Sequence, residues 1–233
     1  MQSSSSSQSL SFRRVLTLAL PVMLSYVAVG LACGVLSQRA GMDPVGCFVL
    51  SATYLSGGGQ FMIANLWLAG TPMGSLIISV CAISTSFALY SASLAPALKR
   101  FSKRESLAIA ATFTEEAYGI TLDQLASGKD WSFGDALALD LVLMLTWAAS
   151  VAAGAALGSL ASIPTALASF AMTALFIYLL IGQMKGRVHL AIAAVSMLAV
   201  FLCKCAGAAG AAIPVAAVAG VASGLIAGEA TRQ

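Results

Sequence analysis

The chain has 233 residues, of which 59% are hydrophobic and 9% charged, with a mean hydropathy of +0.92 and a formal net charge of +3. Soluble domains carry roughly 25% charged residues, so this chain has too few polar side chains to wet its own surface. The small, scattered positive charge does not point to a nucleic-acid partner.

In chain order, residues 1–12 form a short serine-rich tail, MQSSSSSQSL and the two residues after it, which has too little apolar surface to bury and is expected to be disordered. A single polytopic membrane domain is expected over 13–233. The charge-free runs 15–36, 45–69, 72–98, 141–184 and 205–228 each match or exceed the ~18 apolar residues that read as a membrane span. The run 141–184 is long enough for two helices, and 106–126 and 188–203 add shorter apolar segments. Backbone groups in hydrocarbon must satisfy one another, and no ~10-residue alternating segments suggest a barrel, so the expected class is an all-α integral membrane protein. Arg13 and Arg14 before the first run resemble a signal sequence, but 22 uninterrupted apolar residues without an A-x-A site predict a retained span.

Charge placement refines the topology. If all eight apolar segments crossed, the twelve cations would divide six to six, without the excess that cytoplasmic loops carry. If 45–69 and 106–126 instead dip in and return, Arg13, Arg14, Lys99, Arg100, Lys103, Arg104, Lys129, Lys185, Arg187 and Arg232 share one side with the N-terminus, leaving Arg39 and Lys204 opposite. The same two segments carry helix breakers. Ser56-Gly57-Gly58-Gly59-Gln60 interrupts the first and Thr114-Glu115-Glu116-Ala117-Tyr118-Gly119 the second. Each glycine costs about 1 kcal/mol in a helix interior, and carboxylates at membrane depth are found facing protein or water. The expected architecture is therefore about six full spans plus two broken or re-entrant segments that enter from opposite sides, as in inverted-repeat transporters.

Other positions carry weaker signals. Gly30-x-x-x-Gly34, Gly154-x-x-x-Gly158 and Gly220-x-x-x-Gly224-x-x-x-Gly228 place small residues on one helix face, either for packing inside the chain or, in the last helix, as a docking face for a partner subunit. Trp67 and Trp131 fall near segment ends and are expected to anchor at the interface, whereas Trp147 lies deeper and is expected to pack. Lys204 is expected to snorkel, His189 to sit at headgroup level, and Asp135 to occupy a helix start, with Asp140 deeper. Five cysteines without paired Cys-x-x-Cys spacing and one histidine give no reason to expect a metal or disulfide framework. No G-x-S-x-G, H-E-x-x-H, Walker, haem or flavin pattern occurs, so no catalytic residue and no cofactor are assigned, and the chain is not expected to be an enzyme.

Several stretches resemble the AzlC-type family of branched-chain amino acid permeases: PVMLSYVAVGLACG at Pro21–Gly34, SGGGQF at Ser56–Phe61, YSASLAP at Tyr90–Pro96, TFTEEA at Thr112–Ala117, and Ala174–Leu180 with Gln183 and Lys185. The resemblance covers roughly residues 12–187. It implies the larger subunit of a bacterial two-component exporter of leucine, isoleucine, valine or similar residues, working with a small AzlD-type membrane partner in the inner membrane; the cation excess on the N-terminal side predicts a cytoplasmic N-terminus. The chain departs from the family pattern, which has Asn, Arg and His before the tyrosine, by carrying Ser84, Ser86 and Phe87.

A zwitterionic substrate needs a cradle for each charge. A half-helix starting near Ser56, Gly57, Gly58, Gly59 and Gln60 would offer backbone N–H groups to the carboxylate. Glu115, Glu116 or loose carbonyls, with Thr114 beside them, would face the ammonium, and one glutamate could carry a coupling proton. Neighbours on a helix point about 100° apart, so only one of the pair is expected to face the pathway. The alternative is a pair held near the inner surface by Lys99, Arg100, Lys103 or Arg104. Ser84, Thr85, Ser86, Tyr90 and Ser91 either line the pathway or bond to the preceding turn. A secondary transporter is the leading expectation; a channel or scaffold subunit for another small solute is the alternative.

Overall fold

A computed structural model describes residues 3–127, 130–160, 170, 173–174, 177, 180–181, 184, 186–208 and 211–230. Its helices are α1 (Ser3–Arg39), α2 (Pro44–Thr53), α3 (Gly57–Leu68), α4 (Met73–Leu98), α5 (Lys103–Thr112), α6 (Glu115–Ala126), α7 (Phe133–Leu160), α8 (Arg187–Cys205) and α9 (Ala212–Ala230). The molecule is the all-α membrane protein that composition requires. Four described helices are long and apolar enough to cross a bilayer: α4, α7, α1 from Phe12 onward and α8 from Val188 onward. Helix α9 is a shorter apolar element, and most of the second half of the run 141–184 lies outside the described residues, as do Gln183, Lys185, Lys129 and Arg232. Helix α1 reaches back to Ser3 through the serine-rich stretch.

Both suspected breaks are present, each a step upstream of where the sequence placed it. The first is Tyr54–Ser56, between α2 and α3; the second is Phe113–Thr114, between α5 and α6. The glycines and glutamates open the second half of each pair because Ser56 and Thr114 serve as N-caps. Ser56 Oγ accepts from Gly59 N at 3.1 Å and Thr114 Oγ1 from Ala117 N at 3.2 Å.

The first pair folds back on itself. Ser51 Oγ donates to Gln60 Oε1 at 3.0 Å, whereas nine residues along one helix would stand about 13 Å apart. Its two ends share a small cavity of about 250 Å³ bordered by Ala40, Gly41, Met42 and Trp67, at the Arg39 end of α1. The second pair starts and finishes at the other end. Arg14 donates to Gln124 Oε1 at 2.6 Å and to the Asp130 carbonyl at 2.9 Å, while Arg100 donates to the Trp131 carbonyl. A capping box of Ser102 and Glu105 starts α5, and the Ser102 backbone and hydroxyl bonds hold the exposed Glu105 carboxyl below its usual range. Two re-entrant hairpins thus enter from opposite ends, with α4 running between them.

Helices α1 and α7 run parallel and form the spine. A Cβ at Gly30 would lie 2.7 Å from Ser150 Cβ, one at Gly34 2.6 Å from Ala155 N, one at Gly154 2.7 Å from Leu31 Cα, and one at Gly158 3.3 Å from Val35 Cα. These glycines therefore serve internal packing. So do Gly220 and Gly224, which meet Ser196 and Ile192 of α8. A partner-docking face on those two positions is thereby corrected, because α8 already covers it. Trp67 is 53% exposed, as an interfacial anchor would be, but Trp131 is fully buried beneath the Arg14 guanidinium, 5.5 Å from its ring centre. The guanidinium over the ring face is a cation–π contact.

Backbone atoms cannot step aside for a new side chain, so Gly34→Ala and Gly154→Val are expected to destabilise the protein by about 1–3 kcal/mol or more. Thermal unfolding in detergent should show lowered midpoints for both. Gly119→Ala, where an added Cβ meets nothing within 4 Å, should leave the midpoint unchanged or raise it.

Candidate functional site

Tyr26, Ser86 and Trp147 lie near the midpoints of α1 from Phe12, α4 and α7, and all three border one cavity of about 1160 Å³. The two hairpin tips reach it from opposite sides. Ser51, Leu55, Gly57 and Gly58 come from the first, and Thr114, Glu115 and Glu116 from the second. Pro21, Val22, Ala28, Val29, Ile83 and Met144 supply apolar wall, with Ser25 and Tyr90 completing the polar part.

At the first tip, Gly57 and Gly58 occupy the opening turn of α3, whose amides lack intrahelical partners and sit at the positive end of the helix dipole. Glycine at 57 matches its neighbour: an added Cβ would lie 3.0 Å from Trp147 Cζ2. Gly59 is turned away from the cavity, with a Cβ there running into the Tyr54 ring. Gln60 is 2% exposed and held by protein at both ends of its amide. Its Oε1 accepts from Ser51 Oγ at 3.0 Å and Trp147 Nε1 at 3.1 Å, and its Nε2 donates to the Tyr54 carbonyl at 2.7 Å. Gln60 borders the small cavity at the Arg39 end and does not line the central one, which its partners Ser51 and Trp147 border. Ser56 is buried as the cap of α3.

At the second tip, Glu115 and Glu116 both border the cavity, correcting the expectation that one alone would. They form the first turn of a half-helix whose end enters the cavity, where neighbouring side chains splay around the helix end instead of across a lipid-facing flank. Tyr26 donates its hydroxyl to Glu116, and the Tyr26 ring meets Trp147 edge-on at 5.2 Å between centres. Of the cations proposed to hold the glutamates, Arg100 is engaged elsewhere, on the Trp131 carbonyl and over the Phe101 ring.

Helix α4 braces both tips through the residues that depart from the family pattern. Ser84 Oγ lies 3.0 Å from the Tyr54 hydroxyl at the first break, and Phe87 stacks on Phe113 at the second, 5.6 Å between ring centres. Tyr90 stacks on Tyr118 at 4.8 Å. Ser86 does both things open to it: it borders the cavity and bonds back to the Ile83 carbonyl at 2.8 Å. Thr85 bonds back to Cys81 at 3.0 Å. Tyr26, Ser25, Ser51 and Trp147 were not singled out from sequence as site residues. Tyr26 lies inside the PVMLSYVAVGLACG stretch, but a single tyrosine in an apolar run carries no signal of its own; Trp147, expected to pack, packs and also lines the cavity.

The sequence model of the family described as AzlC protein matches residues 21–161, more than half of the chain. The chain is 26% identical over 214 residues to the inner membrane protein YgaZ of Escherichia coli, covering 89% of this chain and 85% of that protein. It is 28% identical to an uncharacterized membrane protein of Archaeoglobus fulgidus, over 78% of this chain and 80% of that one. It is 25% identical to the branched-chain amino acid transport protein AzlC of Bacillus subtilis, over 76% and 70% respectively. No solved structure matches.

Removing the Gln60 amide strands Trp147 Nε1 and Ser51 Oγ in a buried site, where an unpaired polar group costs about 1–3 kcal/mol. Gln60→Leu is expected to lower the unfolding midpoint in detergent and to change the near-ultraviolet circular dichroism of Trp147.

Proposed function

This chain belongs to the AzlC family, and on that premise we propose that it is a secondary transporter subunit that exports small apolar amino acids of the leucine, isoleucine and valine class, coupled to protons. One observation carries the reading: a single cavity at the middle of the bundle is bordered by the N-terminus of one re-entrant half-helix and by two carboxylates on the N-terminus of the other.

The two tips complement a zwitterion. The Gly57 and Gly58 amides suit a carboxylate, and Glu115 and Glu116 suit an ammonium or a proton. Glu116 is already paired with Tyr26, whereas Glu115 has no hydrogen bond to another described residue, which favours Glu115 as the group that exchanges partners. Pro21, Val22, Ile83 and Met144 offer apolar surface to an aliphatic side chain. Ser86, Tyr90 and Thr114 complete the proposed site, while Ser56, Gly59 and Gln60 shape the α3 tip from behind. Arg13, Arg14, Lys99, Arg100, Lys103 and Arg104 cluster at the end opposite Arg39, and the preference of cations for the cytoplasmic face supports a cytoplasmic N-terminus; the proposed location is the bacterial inner membrane. A small AzlD-type membrane subunit is the proposed partner.

Uptake of radiolabelled leucine into inside-out membrane vesicles, with and without a proton gradient and a co-expressed small partner, tests this. Gradient-driven accumulation is expected, and the double change Glu115→Gln, Glu116→Gln should abolish it. Leucine movement down its own gradient that ignores protons would indicate a channel. No leucine movement in any combination, from folded protein, would overturn the substrate assignment.

A further inference from the structure

Asp140 ends the second turn of α7, apart from the central cavity, and is fully buried. Its Oδ2 lies 3.0 Å from Thr112 Oγ1, and its Oδ1 has no hydrogen-bond partner. Thr112 Oγ1 also lies 2.8 Å from the Ala108 carbonyl, the acceptor one turn back on α5. A threonine hydroxyl has one proton to give. If Asp140 were a carboxylate, that proton would have to leave Ala108 for Oδ2, and Oδ1 would remain a bare oxygen sharing a full negative charge in dry packing.

A carboxylic acid removes both difficulties. Its O–H donates from Oδ2 to Thr112 Oγ1, Thr112 donates to Ala108, and only a neutral carbonyl oxygen is left unpaired. We propose that Asp140 binds a proton in this conformation and is a second protonation site, behind the cavity glutamates, that ties the end of α5 to α7.

Charged groups on the surrounding elements do not substitute for that proton. Arg14 on α1 is engaged by Gln124 and Asp130, Glu116 on α6 by Tyr26, and Asp135 on α7 by Ser132. Lys103, Arg104 and Glu105 belong to the opposite end of α5, Asp43 caps the outer end of α2, and Glu115 borders the cavity. Thr112 is the last residue before the Phe113–Thr114 break, three positions from Glu115. When the Oδ2–H bond breaks and the proton passes to water, both oxygens need donors; Thr112 can turn to Oδ2 only by giving up Ala108, and Oδ1 still has none. The end of α5 then has to part from α7 and admit water, moving the cavity wall that carries Glu115. This consequence rests on the transport reading; the bound proton does not.

Infrared spectroscopy of the full chain in lipid nanodiscs near neutral pH separates the two. The wild-type protein should show a protonated-carboxyl C=O band that disappears in Asp140→Asn, persists in Glu115→Gln, and shifts to higher wavenumber in Thr112→Val, where the hydrogen bond is lost. If Asp140→Asn removes only carboxylate bands, or Thr112→Val leaves the band in place, the proposal is overturned, whether or not leucine is a substrate. In vesicles, Asp140→Asn, which keeps a donor toward Thr112, should lose gradient-driven accumulation while retaining leucine counterflow. Wild-type accumulation by Asp140→Asn would overturn the coupling role.

Discussion

Helix α1 can lie against α7 at nearly backbone distance because Gly30, Gly34, Gly154 and Gly158 leave no side chain between them. In lipid the hydrophobic effect gives two apolar helices no reason to associate, so close van der Waals approach has to hold them. The polar contacts at the two hairpin tips are arranged from that pair. Tyr26 on α1 and Trp147 on α7 touch at mid-depth, one holding Glu116 of the second hairpin and the other Gln60 of the first. A spine of two parallel helices therefore sets the position of both tips relative to each other.

Breaking a helix inside a membrane exposes backbone groups that lipid cannot satisfy. Here the same solution appears twice: a Ser or Thr cap closes the start of the second half-helix, and a side chain covers what remains. Ser56 and Gln60 do this at the first break, where Gln60 takes up the Tyr54 carbonyl. Thr114 does it at the second, where aromatic stacking of Phe113 on Phe87 fills the adjoining space. The half-helices that result bring unlike groups to one cavity, amides from one side and carboxylates from the other. The second hairpin is also bound at its base, by Arg14 and Arg100.

Much of this was legible in the residues. Charge-free runs located the spans, three glycines and two glutamates in apolar surroundings marked both broken segments, and the cation asymmetry pointed to re-entry in place of crossing. Less legible were the pairings. Gln60 reads as a binding residue when seen beside three glycines, yet its amide is held by Ser51, Tyr54 and Trp147, the last 87 positions away. Trp131 reads as an interface anchor by its place near a segment end, but Arg14, distant in sequence, covers it. Asp140 had no recognisable partner because Thr112 lies on a different helix.

Local physics explains the division. Hydropathy, helix-breaking composition and charge bias act on each segment by itself, so the sequence alone determined that the chain is helical, lies in a membrane, and is interrupted at two places. Which glycine meets which backbone, that both glutamates open on the cavity, and that Gln60 faces inward as a strut depend on the parallel contact of α1 with α7 and on the sense in which each hairpin turns back. Those choices are made between residues a hundred positions apart, by steric fit and by the need of each buried polar group for a partner, and only the tertiary structure decided them.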